Sequence, residues 1–135
     1  GSSPSLFLPL VEGHWAVALQ ISLVLISEVG RKQAEATLLA NVTTLHLKGL
    51  VKFSESASTA VINNALSFLI GNGAVVERRV SGGEGWEKVR NVSLGSAEKL
   101  ASSISLLSSL RPPGSSPTPS SSQVAALLAE SRARL

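Results

Sequence analysis

The sequence lacks three residue types on which many active and binding sites depend: cysteine, aspartate and tyrosine. Without cysteine, it can form no disulfide scaffold, no thiol nucleophile and no zinc site of the cysteine type. Without aspartate, it can form neither a Ser-His-Asp triad nor an EF-hand loop. Only His14, His46 and the glutamates remain for chemistry. We therefore predict that this chain alone is not a catalyst, and we predict no catalytic residue, metal site or cofactor in it.

Methionine is also absent, and charged residues make up only 16% of the chain. A chain without methionine is expected to be a fragment or a processed product. Soluble domains contain about 25% charged residues, so the low value predicts a piece that packs on a larger body or lies near a membrane surface. The net charge of +3 is too small to predict a dedicated nucleic-acid binder.

Hydrophobic periodicity predicts helices over residues 33–51, 58–72 and 96–111, each with an apolar stripe. The longest apolar run, residues 15–26, is too short for a membrane span, which needs about 20 residues. It is predicted to be a buried helix. Two valine-rich segments, 74–80 and 86–94, flank a glycine-rich stretch and predict a β-hairpin.

These elements predict a mainly α fold with a small β-hairpin, in the α+β class. The order helix, helix, helix, hairpin, helix is winged-helix-like. Residues 1–111 are predicted to form a helical accessory domain. Residues 112–122 (PPGSSPTPSSS) are predicted to be a disordered Pro/Ser linker. Residues 123–135 are predicted to be a short helix and a C-terminal targeting tail.

A winged helix raises the possibility of DNA binding through the helix at residues 58–72. That helix contains Asn63 and Asn64 but no lysine or arginine, whereas recognition helices use basic residues on bases and phosphates. We therefore expect no nucleic-acid partner. Neither histidine has ligand partners at the spacing of a metal site, and a structural role is favoured for both.

The last three residues, Ala133, Arg134 and Leu135, fit the small–basic–Leu pattern of a peroxisomal address, of which Ser-Lys-Leu is the best-known form. Recognition of such a signal needs a free carboxylate, a long cation and an apolar end. These residues are the predicted targeting signal, and a peroxisomal import receptor is a predicted partner.

Two internal stretches resemble a known family. Residues 8–15 (LPLVEGHW) look like the Pro-Phe-Val/Leu-Glu-x-Tyr motif in the C-terminal region of glycerol-3-phosphate and dihydroxyacetone-phosphate acyltransferases. Residues 62–79 (INNALSFLIGNGAVVERR) are similar to that family's Asn-Ala-Leu … Gly-Val-Val-Glu-Lys-Lys passage. The peroxisomal branch also ends in a small–basic–Leu tripeptide. The chain departs from the first motif at Leu10, Gly13 and His14.

The resemblance implies part of an enzyme that transfers a fatty acyl group from acyl-CoA to dihydroxyacetone phosphate, in glycerolipid and ether-lipid synthesis. In that family, the catalytic pair lies in an HxxxxD motif. Here Leu19 and Val51 stand five positions after the two histidines, so no catalytic residue carries over. Pro9 and Glu12 are motif positions for which a structural role is expected.

The expected role is that of a C-terminal accessory segment. Its partners would be the upstream acyltransferase domain, the import receptor and a membrane surface, on the matrix side of the peroxisomal membrane. A glycerol-3-phosphate acyltransferase is the nearest alternative. The rival hypothesis is a non-enzymatic winged-helix-like module for protein interaction.

Overall fold

The structure, a computed structural model, describes residues 8–52, 56–81, 88–112, 114–115 and 117–133. Over these residues the chain is mainly helical, with a small three-stranded antiparallel sheet, as predicted. The helices are α1 (Leu8–Val24), α2 (Arg31–Leu47), α3 (Thr59–Asn72), α4 (Ala97–Leu110) and α5 (Ser121–Ala133). The strands are β1 (Val29–Gly30), β2 (Val75–Ser81) and β3 (Lys88–Leu94).

Helix α1 is the centre of the molecule and contacts all four other helices. Its apolar residues surround it on every side, so it must be covered on every side. Trp15, Val17 and Ile21 have no exposed surface, and the prediction of a buried helix is confirmed. Among the described residues, no helix has the length and apolar character that crossing a membrane requires.

Local sequence signals set most of the helix ends. Ser58 and Ser96 cap α3 and α4, and each hydroxyl accepts a hydrogen bond from the backbone N–H three residues on. Gly73 ends α3 in the left-handed conformation, at φ 88°, where glycine avoids the steric cost of a Cβ. Helix α2 ends at Leu47, four residues before the predicted end.

The strand order in the sheet is β1-β3-β2, and the hairpin register runs from Val75 opposite Leu94 to Ser81 opposite Lys88. The hairpin strands match the prediction, while the glycine-rich stretch between them lies outside the described residues. Strand β1 was not predicted, because two residues are too few to show a period of two. It pairs Val29 with Val92, so the short strand between the first two helices joins the hairpin. This topology is winged-helix-like.

Helix α5 corresponds to the short helix predicted within residues 123–135, but it packs in the core instead of standing apart behind a disordered linker. Helix α5 begins at Ser121, and Val124 and Leu128 lie in the same buried cluster as α1. Within the segment before α5, the Thr118 hydroxyl lies 2.7 Å from that of Ser108 on α4. The proline- and serine-rich segment cannot build a core of its own, but it can lie on one that is already formed. The described helical core therefore includes α5.

Candidate functional site

Both histidines are held by hydrogen bonds to the backbone. His14 Nδ1 donates to the Leu10 carbonyl at 2.8 Å, and His46 Nδ1 donates to the Val51 carbonyl at the same distance. Burial lowers the pKa of His14, and its backbone hydrogen bond opposes that shift only in part. Among the described residues, no group of three His, Cys, Asp or Glu side chains could hold a metal ion. The geometry is that of two histidines that support the fold.

The most unusual polar cluster surrounds Glu12, the acidic residue of the motif at residues 8–15. Glu12 is buried in the first half of α1, and its Oε1 accepts a hydrogen bond from the Lys52 backbone N–H at 2.9 Å. Its Oε2 lies 3.5 Å from Nε of Arg111, and both side chains are at least 95% buried. The Arg111 guanidinium in turn lies 3.6 Å from the centre of the Trp15 ring. In the interior, the guanidinium thus contacts the carboxylate of Glu12 and lies over the indole ring of Trp15.

This cluster joins distant parts of the chain. Trp15 Nε1 is within hydrogen-bond distance of the hydroxyls of Ser108, at 3.2 Å, and Thr118, at 3.3 Å. Through Glu12, Trp15 and Arg111, α1 is tied to the segment after α2, to the end of α4 and to the segment before α5. Burial lowers the pKa of Arg111, and the charge of Glu12 opposes that shift. A buried ion pair of this kind often adds little net stability, but removing one partner leaves the other charge buried without its counter-charge.

The two predicted motif residues have different settings. Pro9 lies in the first turn of α1, where a missing N–H costs nothing because the helix has no acceptor for it. Glu12 makes the contacts above, and its expected structural role stays a prediction. Sequence reasoning missed Arg111 as its partner, because a single arginine at a helix end gives no signal that it will be buried.

The predicted targeting signal stands at the end of α5. The helix runs to Ala133, while Arg134 and Leu135 lie outside the described residues.

The surface around α3 does not resemble a nucleic-acid interface. Among the described residues, Arg31 on α2 donates hydrogen bonds to Asn63 and Ser67 of α3. Arg31 also forms ion pairs with Glu35 and Glu77, so its charge is already neutralised. DNA recognition requires cations that are available to phosphates, and this arrangement disfavours it.

Exposed apolar side chains provide a different kind of surface. Leu106 is 52% exposed and Leu110 is 44% exposed, and residues four apart share one face of a helix. Single exposed leucines are ordinary, but neighbouring ones on one face mark a possible contact surface. We refer to Leu106 and Leu110 as the α4 leucine pair.

Comparison with protein-family models, with curated proteins and with solved structures finds no match to this chain. Its function must therefore be argued from its residues.

Proposed function

We propose that this chain is an accessory, non-catalytic module of an acyl-CoA:dihydroxyacetone-phosphate acyltransferase. In this proposal it packs on the catalytic domain and carries the peroxisomal address. The observation that carries the proposal is the position of Glu12. The acidic residue of the family-like motif is the buried centre of contacts between α1, α4 and the segments around them.

The chemistry of acyl transfer supports a non-catalytic role. The acceptor hydroxyl attacks the thioester carbonyl of acyl-CoA while a base, oriented by a second group, removes the hydroxyl proton. The C–S bond then breaks, and CoA leaves as the thiol with that proton. The resemblance assigns these tasks to a histidine and an aspartate. This chain has no aspartate, and Nδ1 of each histidine donates to a backbone carbonyl and not to a carboxylate. The catalytic domain would supply both groups.

The α4 leucine pair is the surface that we assign to the contact with the catalytic domain. Covering two half-exposed leucines removes apolar area from water, at about 25 cal/mol per Å². The test mixes the full chain with a separately expressed catalytic domain of a peroxisomal dihydroxyacetone-phosphate acyltransferase. Size-exclusion chromatography with light scattering then measures whether a 1:1 complex forms.

We expect a complex with the native chain and at least tenfold weaker binding for the double variant Leu106→Glu/Leu110→Glu. The control is Leu47→Glu, which places one such charge on another exposed leucine, on α2, and should bind normally; each single variant, Leu106→Glu and Leu110→Glu, is compared with it. No complex with the native chain would contradict the proposed packing role. Equal loss in the control would show that the α4 leucine pair is not the contact.

The address is tested separately, by binding of the full chain to the peptide-binding domain of the peroxisomal import receptor. The control is the same chain without Leu135. Tight binding that depends on Leu135 supports the peroxisomal branch. Absence of binding removes the address from the proposal and leaves a glycerol-3-phosphate acyltransferase as the alternative.

The second candidate function is a non-enzymatic winged-helix-like interaction module, and the topology of β1 on the hairpin favours it. It predicts a folded chain that binds neither the catalytic domain nor the import receptor. Its nucleic-acid version predicts a mobility shift with duplex DNA that weakens steeply as salt rises. A shift of that kind would contradict the interpretation of α3 given above.

A further inference from the structure

Strand β2 is an edge of the sheet, because the strand order is β1-β3-β2. The Gly95 N–H donates to the Ala74 carbonyl at 2.8 Å, one step beyond the Val75–Leu94 pair. Ala74, and every second residue after it, therefore directs its backbone groups toward β3. In an antiparallel pair, backbone groups point alternately toward and away from the partner strand. The N–H and C=O groups of Glu77 and Arg79 therefore point outward. Unpaired edge groups of this kind are a template for another strand.

The charges along this edge are unbalanced within one chain. Arg79 lies directly opposite Arg90 on β3, and like charges at directly opposed positions destabilise a sheet. Among the described residues, no carboxylate forms an ion pair with Arg79. Glu77 lies two residues away on the same face and already contacts Arg31. Arg78, on the opposite face, is held by Glu28 at 2.7 Å.

We propose that this edge pairs with the β2 strand of a second copy of this chain, antiparallel and centred on Arg78. With Arg78 opposite its own copy, Glu77 lies opposite the second copy's Arg79, and Arg79 lies opposite the second copy's Glu77. These two pairs exchange four backbone hydrogen bonds through the outward-pointing groups. Moving the centre to Glu77 or to Arg79 would still leave one like-charge pair at the centre and would lose both Glu77–Arg79 pairs.

The apolar residues fit the same register. Val76 lies opposite the second copy's Val80 on the face that also carries Val89. Val76 and Val89 are 49% and 48% exposed, so pairing extends a partly apolar strip across both copies. The two central arginines lie opposite each other, but each already has Glu28 of its own chain as a neighbour. Charge complementarity thus selects a second copy as the occupant and selects one register.

The surface involved is small, and interfaces below about 1,200 Å² are usually transient. We therefore expect a monomer–dimer equilibrium in which the dimer fraction rises with concentration. This inference goes beyond the proposed function and does not rest on it. Failure to bind an acyltransferase domain would leave it intact.

The absence of native cysteine permits a direct test of the register by single-cysteine oxidation of the full chain. Residues at a non-hydrogen-bonded antiparallel pair have Cα atoms about 4.5 Å apart, which lies within the range that a disulfide spans. Arg78→Cys should therefore oxidise to a disulfide-linked dimer. The matched control is Val76→Cys, whose two copies would be separated by four residue steps, or about 14 Å, too far for a disulfide.

We expect Arg78→Cys to cross-link at least tenfold faster than Val76→Cys at equal low micromolar concentration. Adding Arg79→Glu to Arg78→Cys should remove that advantage, because Glu77 would then face a glutamate. Adding Lys32→Glu, which makes the same charge change on exposed Lys32 of α2, should not. Circular dichroism checks that each variant is folded. Equal rates for the two cysteine variants, or a native chain that stays monomeric in sedimentation at every concentration, would overturn the proposal.

Discussion

At the scale of single residues, the buried pair of Glu12 and Arg111 is the feature with the largest expected effect on stability. Ion pairs in the interior often add little net stability, since removing both charges from water costs as much as their attraction returns. Removing one partner is different, because the other charge then stays buried without its counter-charge. We therefore expect substitution of Glu12 to lower the free energy of unfolding more than substitution of an exposed glutamate does.

We predict that Glu12→Gln lowers the free energy of unfolding by about 3 kcal/mol, since it removes the negative charge next to buried Arg111. Glutamine keeps the acceptor for the Lys52 N–H, so the loss reports the charge. Urea unfolding followed by circular dichroism measures the change. Glu98→Gln, on an exposed residue of α4, is the control and should change stability by less than about 0.5 kcal/mol. Equal effects of the two substitutions would contradict the assigned role of Glu12.

A second residue-scale prediction concerns pH. Burial lowers the pKa of His14 in the folded chain, so protons bind the unfolded chain more readily. The contribution of His14 to stability is therefore complete above its unfolded pKa of about 6.5. It is lost as the pH falls toward the lower folded pKa. We expect the native chain to lose more stability between pH 7.5 and pH 5.5 than His14→Gln does, in urea unfolding. Parallel losses in both proteins would contradict this.

At the scale of elements, the approach of α1 to α3 depends on a glycine. A Cβ added at Gly13 would lie 2.1 Å from Cγ1 of Val61, far inside any permitted contact. Alanine is a better helix former than glycine by about 1 kcal/mol, so propensity alone predicts that Gly13→Ala stabilises α1. The contact predicts the opposite, because overpacking costs about 1–3 kcal/mol.

We expect Gly13→Ala to lower the thermal midpoint, and we expect Val61→Ala in the same chain to restore much of the loss by making room for the new methyl group. Differential scanning calorimetry of both single variants and the double variant provides the test. Additive effects of the two substitutions would show that α1 and α3 do not meet at this point. Gly71, whose added Cβ meets nothing within 4 Å, is the control position, and Gly71→Ala should not be destabilising through contact.

At the scale of the whole molecule, the packing of α5 determines whether the C-terminal residues belong to the folded core or form a separate tail. Leu128 is 7% exposed and lies in the core cluster. We predict that Leu128→Ala lowers the free energy of unfolding by about 2 kcal/mol, as truncations of buried leucine do. Leu106→Ala, at a half-exposed leucine of α4, is the matched control and should cost less than about 0.5 kcal/mol. Chemical denaturation measures both.

If Leu128→Ala behaved like the control, α5 would not be part of the cooperative core. That outcome would return the chain to the predicted arrangement of a domain, a linker at residues 112–122 and a separate tail.

The candidate site was only partly predictable from the sequence. The resemblance singled out Glu12, and the structure gives it buried contacts. Its partner Arg111 gave no such signal, since arginine is most often exposed and the two residues lie near opposite ends of the chain. The edge pairing at Glu77 and Arg79 was equally hidden. Alternating charges are common on hairpins and do not by themselves predict strand pairing. Only the strand order shows that β2 is the edge strand.

The sequence by itself determined the elements of this protein. Apolar periodicity, serine caps and glycine stops are local signals, and they specify α3, α4 and the two hairpin strands within a few residues. Helix α1 was predicted as a buried helix, but it begins at Leu8, seven residues before the predicted start, and ends at Val24. Only the tertiary structure decided how distant segments meet: β1 on β3, Arg111 against Glu12 and Trp15, and α5 in the core. These depend on contacts between residues far apart in the chain. Local sequence preference is too weak to predict such contacts for a two-residue strand, a single arginine or a proline- and serine-rich segment.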